Sequence, residues 1–454
     1  MKLKDKSILV LGLGISGISI IKTLDKEGAK IIVSDCKSRE ELADILEEIA
    51  DIPIEYHFDG EDFSYSDIDL IIKSPGIPPN SYFVEKAVRN NILLITDLEL
   101  AYRCFFRENL VAITGSNGKT TTTVITGEIF RNAGFNTHIV GNIGTAILDK
   151  ISTSYKDDIF IIETSSFQLE HTVNFKPKVS LITNISEDHI DWHGSIENYI
   201  KSKFKIFANQ DKNDYLILNY DDEILRQLEG QISPKIIWFS TREELDDGIY
   251  CKGDKIIVNS YRFEKFYISL ENIKIKGRHN IENILASIAI ALTYKINSKV
   301  IIDTLEKFKG LEHRLEFVRR INGIDFYNDS KATNILSSIK AIEAIESPII
   351  LIAGGYNKNS YYQELIDSFD SKVKCLILLG ETKEIIRSLA LKSSFCDKDI
   401  YIVDTIEEAV NLAYNKAKKG DNILLSPASA SWDQYKSFEE RGKDFKRFVL
   451  SLVE

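Results

Sequence analysis

The chain has 454 residues, too many for one ordinary domain and enough for two to four. Apolar residues make up 44% of it, sufficient for several buried cores. A formal net charge of −11 argues against a nucleic-acid backbone or an anionic membrane as main partner, so a phosphorylated ligand must be met by a few placed cations, amides or metal ions.

The first apolar run, in "MKLKDKSILVLGLG", enters a strand directly and is too short for a signal peptide or a membrane span. Cys36, Cys104, Cys251, Cys375 and Cys396 are scattered without a CxxC pair, the pattern of reduced thiols in a cytoplasmic protein. No nucleic-acid binding and no membrane insertion are expected.

Strands alternate with helices along three segments, which predicts a three-domain α/β protein built on parallel sheets. The first, residues 1–97, opens with "SILVLGLGISGISIIKTLDKEGAKIIVSD". That reads as a strand, a turn holding Gly12, Gly14 and Gly17, a helix to Gly28, and a strand ending at Asp35. "GLGISG" fits GxGxxG, and Asp35 stands near the place of an acidic ribose ligand; a lone match of this kind suggests a nicotinamide dinucleotide. The segment continues through "IDLIIKSPGIPP" to "LLITDLEL".

The second segment, residues 98–309, begins with "LVAITGSNGKTTTTV": strand, glycine turn, helix. Gly115 and Gly118 let the turn point its N–H groups inward, and the helix adds its positive end. Lys119 suits outer phosphates, and Thr120 can offer a hydroxyl to Mg²⁺. The spacing departs from GxxxxGK[ST], because Ile113 stands where the first glycine belongs; a plain polar turn is the alternative. "DIFIIETSS" predicts a strand ending at Glu163, and "KVSLITNISEDH" one ending at His189. Alone, such a carboxylate is ordinarily solvated and such a histidine structural, but three strand ends bring Thr120, Glu163 and His189 to one sheet edge. In helix "SIENYIKSKFKIF", Lys203 has Tyr199, Ile200, Ile206 and Phe207 at i−4, i−3, i+3 and i+4. Either its stem snorkels along an apolar face, or its amine is desolvated, with a lowered pKa and reactivity toward carbon dioxide. More strands follow, some antiparallel, then helices in "NIENILASIAIALTYKI" and "VIIDTLEKFKG". The third segment, residues 310–454, holds four strand–helix units and ends with "NILLSPASASWDQYKSFEERGKDFKRFV".

"TGSNGKTT", "ETSSFQLE", "NISEDHIDWHGSIENYIKSK", "GRHNIENILAS", "EHRLE" and "NDSKATN" occur in the order found in the Mur ligases of peptidoglycan synthesis, and the chain resembles that family over essentially its whole length. The resemblance implies a Rossmann-like N-terminal domain that binds a UDP-substrate, a central P-loop-type ATPase domain, and a Rossmann-like C-terminal domain that binds an amino acid. It implies a monomer that uses ATP to join D-glutamate to UDP-N-acetylmuramoyl-L-alanine through an acyl phosphate. Gly115, Ser116, Asn117, Gly118, Lys119, Thr120 and Thr121 would bind ATP, with Asn280 and Asn283 near the adenine, and Arg314 and Asp329 at its phosphates and ribose. Thr120 and Glu163 would hold one Mg²⁺, and His189 with Lys203 as a carbamate a second. Lys331 would meet the reacting phosphate or the intermediate. Gly14, Ile15 and Ser16 would hold diphosphate, Asp35 would lie near the uracil, Ser74 and Gly76 would add contacts, and Asn142 with His189 would reach the sugar–alanine part. Thr333, Lys358, Ser431 and Phe438 would line the D-glutamate pocket. "NDSKATN" and "SASWDQYKSFE", with no "DNPR"-like motif, favour D-glutamate over other amino acids.

Overall fold

The computed structural model describes residues 1–105, 108–275, 277–345, 347–357, 360–393 and 395–453. The chain is a three-domain α/β protein with three sheets, and it separates into two compact units, Met1–Ile273 with Arg278–Phe308 and Lys274–Gly277 with Lys309–Glu454.

The first unit holds two sheets. One runs Ile54–His57, Lys30–Ser34, Ser7–Leu11, Leu70–Lys73, Leu94–Ile95, all parallel. Its order reverses at Ser7–Leu11, the switch point beyond which such sheets bind ligands. The glycine turn follows that strand and leads into helix Ile15–Lys26. The other sheet has nine strands, in the order Phe266–Ser269, Lys255–Asn259, Gly248–Lys252, Lys235–Ser240, Tyr215–Asn219, Val179–Ile182, Leu110–Thr114, Ile159–Glu163, Thr137–Gly141. Its first three strands pair antiparallel and the rest are parallel. Leu110–Thr114, Ile159–Glu163 and Val179–Ile182 are buried at every residue, as strands covered by helices on both faces must be; the first two are continuously apolar until the polar end residue, and the third carries Ser180, whose hydroxyl donates to Ile206 O at 3.0 Å. One hydrophobic core joins the two sheets: Ile8 and Val10 share it with Leu98, Ala101, Leu148 and Phe160.

The second unit holds a six-stranded sheet, Glu316–Ile321, Ile324–Asn328, Asn422–Leu425, Ile349–Gly354, Val373–Leu379, Ile400–Ile402. Only the first pair is antiparallel. The last strand in sequence, Asn422–Leu425, inserts between two early ones, which sets the loop that follows it between theirs. Among the described residues no helix is long and apolar enough to cross a membrane.

Candidate active site

Strand Leu110–Thr114 ends in the loop 115–118, and helix Lys119–Asn132 starts directly behind it. Gly115 has φ +146, and a Cβ there would lie 1.9 Å from Thr183 Oγ1, so only glycine fits. Gly118 has φ +85 with Asn283 Oδ1 2.3 Å from its notional Cβ. The loop is braced from the next strand's exit: Ser116 N donates to Asn184 O, Asn117 N to Asn184 Oδ1 at 2.9 Å, and Ser116 Oγ to Ser186 O at 3.0 Å. Ser116 Oγ also pairs with Tyr199 Oη at 2.8 Å. Lys119 Nζ donates to the carbonyls of Gly115 at 2.8 Å and Ser116 at 3.0 Å. Thr120 is half-buried in the first helical turn; Thr121 is buried. Asn283 is buried and accepts from Thr122 Oγ1 at 3.1 Å, so it clamps the loop helix; Asn280 is half-buried in the first turn of helix Arg278–Thr293.

Glu163 lies beside the loop, in register with Ile113. Its side chain is buried; Oε1 accepts from Asn142 Nδ2 at 2.8 Å, while Oε2 has no hydrogen-bond partner. Asn142 N also donates to Glu163 O at 2.8 Å, so the two residues form one assembly. His189 does not end a strand. Strand Val179–Ile182 stops earlier, and His189, with φ +53, precedes the short helix Ile190–His193. Asn184 and Ser186, beyond the end of that strand, hold the loop 115–118 through the bonds to Ser116 and Asn117. The His189 ring packs 4.9 Å from Phe167.

Lys203 is 2% exposed, in helix Ile196–Phe204. Its Nζ donates to Gly115 O at 2.8 Å and lies 4.5 Å from the Tyr199 ring centroid. The snorkelling alternative therefore fails: the amine points inward, onto the carbonyl that Lys119 also uses. Burial, with repulsion from Lys119, drives its pKa well below the lysine range, and Asp188 opposes the shift.

In the first sheet, Gly14 caps helix Ile15–Lys26 and Ile15 is 82% exposed, so the helix mouth is open to solvent. Ser16 hydrogen-bonds Asp97, a fully buried carboxyl held above its ordinary pKa by burial. The Asp35 carboxylate accepts from Leu13 N at 2.7 Å and Lys37 N at 2.9 Å, so it shapes the glycine turn. Ser74 Oγ donates to Gly12 O at 2.8 Å, and Gly76 is exposed.

In the second unit, Asp329 is buried: Oδ1 accepts from Leu315 N at 3.0 Å and Oδ2 from Ser426 Oγ at 2.8 Å. Burial pushes its pKa up to about 7, against the pull of these bonds and of the half-buried Arg314. Lys331 Nζ lies 5.7 Å from the Phe438 ring centroid, and Thr333 N donates to Lys331 O. Ser431 is buried in the loop after Asn422–Leu425, where Tyr356 N donates to Ala430 O at 2.9 Å. Lys358 lies outside the described residues.

Three family models match in order: the Mur ligase MurD-like N-terminal domain over residues 6–96, the Mur ligase middle domain over 113–291, and the Mur ligase glutamate ligase domain over 313–429. The chain belongs to the Mur ligase family. Mur ligases of this kind are ATP-dependent, and the chain is an ATP-dependent ligase of peptidoglycan synthesis. It is 46% identical to the UDP-N-acetylmuramoylalanine--D-glutamate ligases of Thermoanaerobacter sp. (strain X514) and Clostridioides difficile (strain 630), in each case over 453 residues and the whole of both chains. Among solved structures, it resembles the UDP-N-acetylmuramate-alanine ligase MurC of Thermotoga maritima, with a TM-score of 0.59, 18% identity and coverage of 98% of this chain and 100% of that one. The MurF ligase of Thermotoga maritima in complex with ADP gives 0.59 and 18%, covering 99% and 98%. At these identities the two structures establish the fold.

As a Mur ligase the chain must handle a triphosphate, and the residues fit a divalent cation. Glu163 Oε2 is an oxygen buried without a donor, on the strand that pairs with the one leading into the loop 115–118. Among the described residues no group of three or more His, Cys, Asp or Glu could hold a metal alone. A cation here needs ligands from other chemistry: a hydroxyl, phosphate oxygens, or a modified lysine. Sequence reasoning missed the clamping roles of Tyr199 and Asn283 on the loop; the spacing of Tyr199 and Lys203, one helical turn apart, was the available signal.

Proposed function

We propose that this Mur ligase joins D-glutamate to the free carboxylate of UDP-N-acetylmuramoyl-L-alanine in the cytoplasm, acting as a monomer. The observation that supports the reading best is the edge of the nine-stranded sheet. There the strand leading into the phosphate loop pairs with the strand that ends at Glu163, whose Oε2 has no partner, and the desolvated amine of Lys203 donates to Gly115 O. The whole-length identity to D-glutamate ligases supports the choice of substrates.

A carboxylate is a poor acylating agent. Its oxygen attacks the γ-phosphorus of ATP, the bond to the β-phosphate oxygen breaks, and ADP departs, leaving an acyl phosphate. The D-glutamate amine then attacks the acyl carbon, a proton is lost, and inorganic phosphate leaves as the amide forms. The protein's share is positioning and placed positive charge. Gly115, Ser116, Asn117, Gly118 and Thr121 cradle the phosphates with backbone and hydroxyl donors, and Lys119 turns from the loop carbonyls to the β/γ-phosphates. Asn280 and Asn283 bound the adenine side; Arg314, Asp329 and Lys331 act on the phosphates, the ribose and the intermediate. One Mg²⁺ would be held by Thr120 and Glu163 and a second by His189 and Lys203 as a carbamate, and together they would supply charge that neutralises the triphosphate and the developing oxyanion. The lowered pKa of Lys203 suits it to carbamylation: the neutral amine adds carbon dioxide and loses a proton, giving the anionic oxygen that a hard cation prefers. Gly14, Ile15, Ser16, Ser74, Gly76, Asp35 and Asn142 serve the UDP-substrate. Thr333, Lys358, Ser431 and Phe438 serve D-glutamate.

The test is phosphate release with ATP, Mg²⁺, UDP-N-acetylmuramoyl-L-alanine and single D- or L-amino acids. Release with D-glutamate alone among them is expected; equal or faster release with another amino acid rejects the assignment.

A further inference from the structure

Lys73 ends strand Leu70–Lys73 of the first sheet, and its side chain is fully buried. Its Nζ donates to Ile77 O at 2.7 Å and to Ser74 O and Pro75 O at 3.4 Å. The Trp192 ring centroid lies 5.2 Å away, and Trp192 Nε1 donates to Gly76 O at 3.4 Å. Burial lowers its pKa to about 8, while the charges of Glu170 and Asp97 pull it back up. An aliphatic side chain would fill this place without desolvating a charge. What the ammonium does instead is gather carbonyls of the loop 74–77.

That has a directional consequence. Across a trans peptide the carbonyl and the following N–H point opposite ways. With Pro75 O turned to the ammonium, the Gly76 N–H faces away from it. Residues 75 and 78 are prolines and have no N–H. The loop is also pinned to the glycine turn by the Ser74 Oγ bond to Gly12 O, and a Cβ on Gly17 would lie 2.3 Å from that same carbonyl.

We propose that Lys73 is a positioning residue for the UDP-substrate: it holds loop 74–77 so that the Gly76 N–H and the glycine turn meet the anionic part of the substrate together, while Trp192 ties that loop to the segment carrying His189. The inference rests on the substrate reading above. Its test is steady-state kinetics of Lys73→Met and Lys73→Arg, with each of the three substrates varied in turn. Lys73→Met is expected to raise KM for UDP-N-acetylmuramoyl-L-alanine about tenfold, equivalent to about 1.4 kcal/mol, with kcat and the KM values for ATP and D-glutamate within about twofold. Lys73→Arg, which keeps the charge, should recover most of that loss. An unchanged KM for the UDP-substrate overturns the proposal, as does a parallel rise in all three KM values, which is the mark of a merely structural role. Wild-type protein that does not turn over UDP-N-acetylmuramoyl-L-alanine overturns the substrate reading itself. Should Lys73→Met fail to fold, Trp192→Phe decides: loss of the indole N–H should raise the same KM about threefold and no other, and an unchanged value again overturns the proposal.

Discussion

Replacing Lys203 tests the site in two independent ways. Unfolded, its amine binds a proton below the ordinary value of 10.5; folded, burial and Lys119 keep it neutral to much lower pH. The folded state thus binds fewer protons, and wild-type stability rises with pH through the window from the depressed value up to 10.5. The limiting slope for one group inside that window is about 1.4 kcal/mol per pH unit, so measurements at about pH 7.5 and about pH 9.5 read its sign. Lys203→Met removes the group and with it this slope. Urea unfolding of both proteins in carbon dioxide-free buffer at the two pH values measures the difference. The methionine variant should be the more stable at pH 7.5, and its advantage should shrink as pH rises. The second readout is catalysis. Lys203→Ala removes an oxygen ligand along with the amine, and losing one such electrostatic element costs about 10²–10³ in kcat. Acetate should restore part of the loss by placing a carboxylate where the side chain was. Parallel pH slopes for wild type and Lys203→Met would refute the buried neutral amine; full activity in unrescued Lys203→Ala would refute the ligand role.

Gly115→Ala should lower kcat/KM at least about 100-fold, about 2.7 kcal/mol, because the new methyl meets Thr183 Oγ1 at 1.9 Å on a backbone with φ +146. Wild-type kinetics in that variant would contradict the loop geometry. For Asp329, burial raises the folded pKa from 3.8 to about 7, so its contribution to stability is present below 3.8 and lost as pH rises through 7. Asp329→Asn should therefore gain on wild type by up to about 4 kcal/mol between pH 4 and pH 8, read by denaturant unfolding, while activity falls. Asn142→Ala leaves the buried Glu163 carboxylate without its amide donor and should cost about 1–3 kcal/mol, part of which Mg²⁺ restores in a thermal melt. A melt indifferent to the substitution would deny the Asn142–Glu163 assembly.

Local patterns in the sequence were enough for the strand, glycine turn and helix at 110–132 and for Glu163 at the end of its strand, because buried parallel strands are continuously apolar and stop where the chain turns polar. Helical spacing alone placed Lys203 on an apolar face. It could not choose between a snorkelling and a buried amine, since the deciding acceptor, Gly115 O, lies 88 residues earlier. His189 misled for a related reason. "KVSLITNISEDH" opens with strand formers and then turns polar at Asn184, where the chain leaves the strand and Asn184 and Ser186 brace Ser116 and Asn117. The Asp35 carboxylate, expected near the uracil, also accepts from Leu13 N and Lys37 N, bonds that the GxGxxG spacing does not reveal. The insertion of Asn422–Leu425 between earlier strands, which brings Ser431 and Tyr356 into neighbouring loops, depends on pairing across the whole third segment and leaves no local trace.

The antiparallel hairpin formed by Lys255–Asn259 and Phe266–Ser269 closes one margin of the nine-stranded sheet, its inner strand five strand spacings, or about 24 Å, from the strand that leads into the phosphate loop. Its tip carries Tyr261, 78% exposed. A fluorophore, affinity peptide or surface tether grafted there reports on or immobilises the enzyme without touching any group assigned to chemistry, which makes that tip the natural handle for single-molecule work on this ligase.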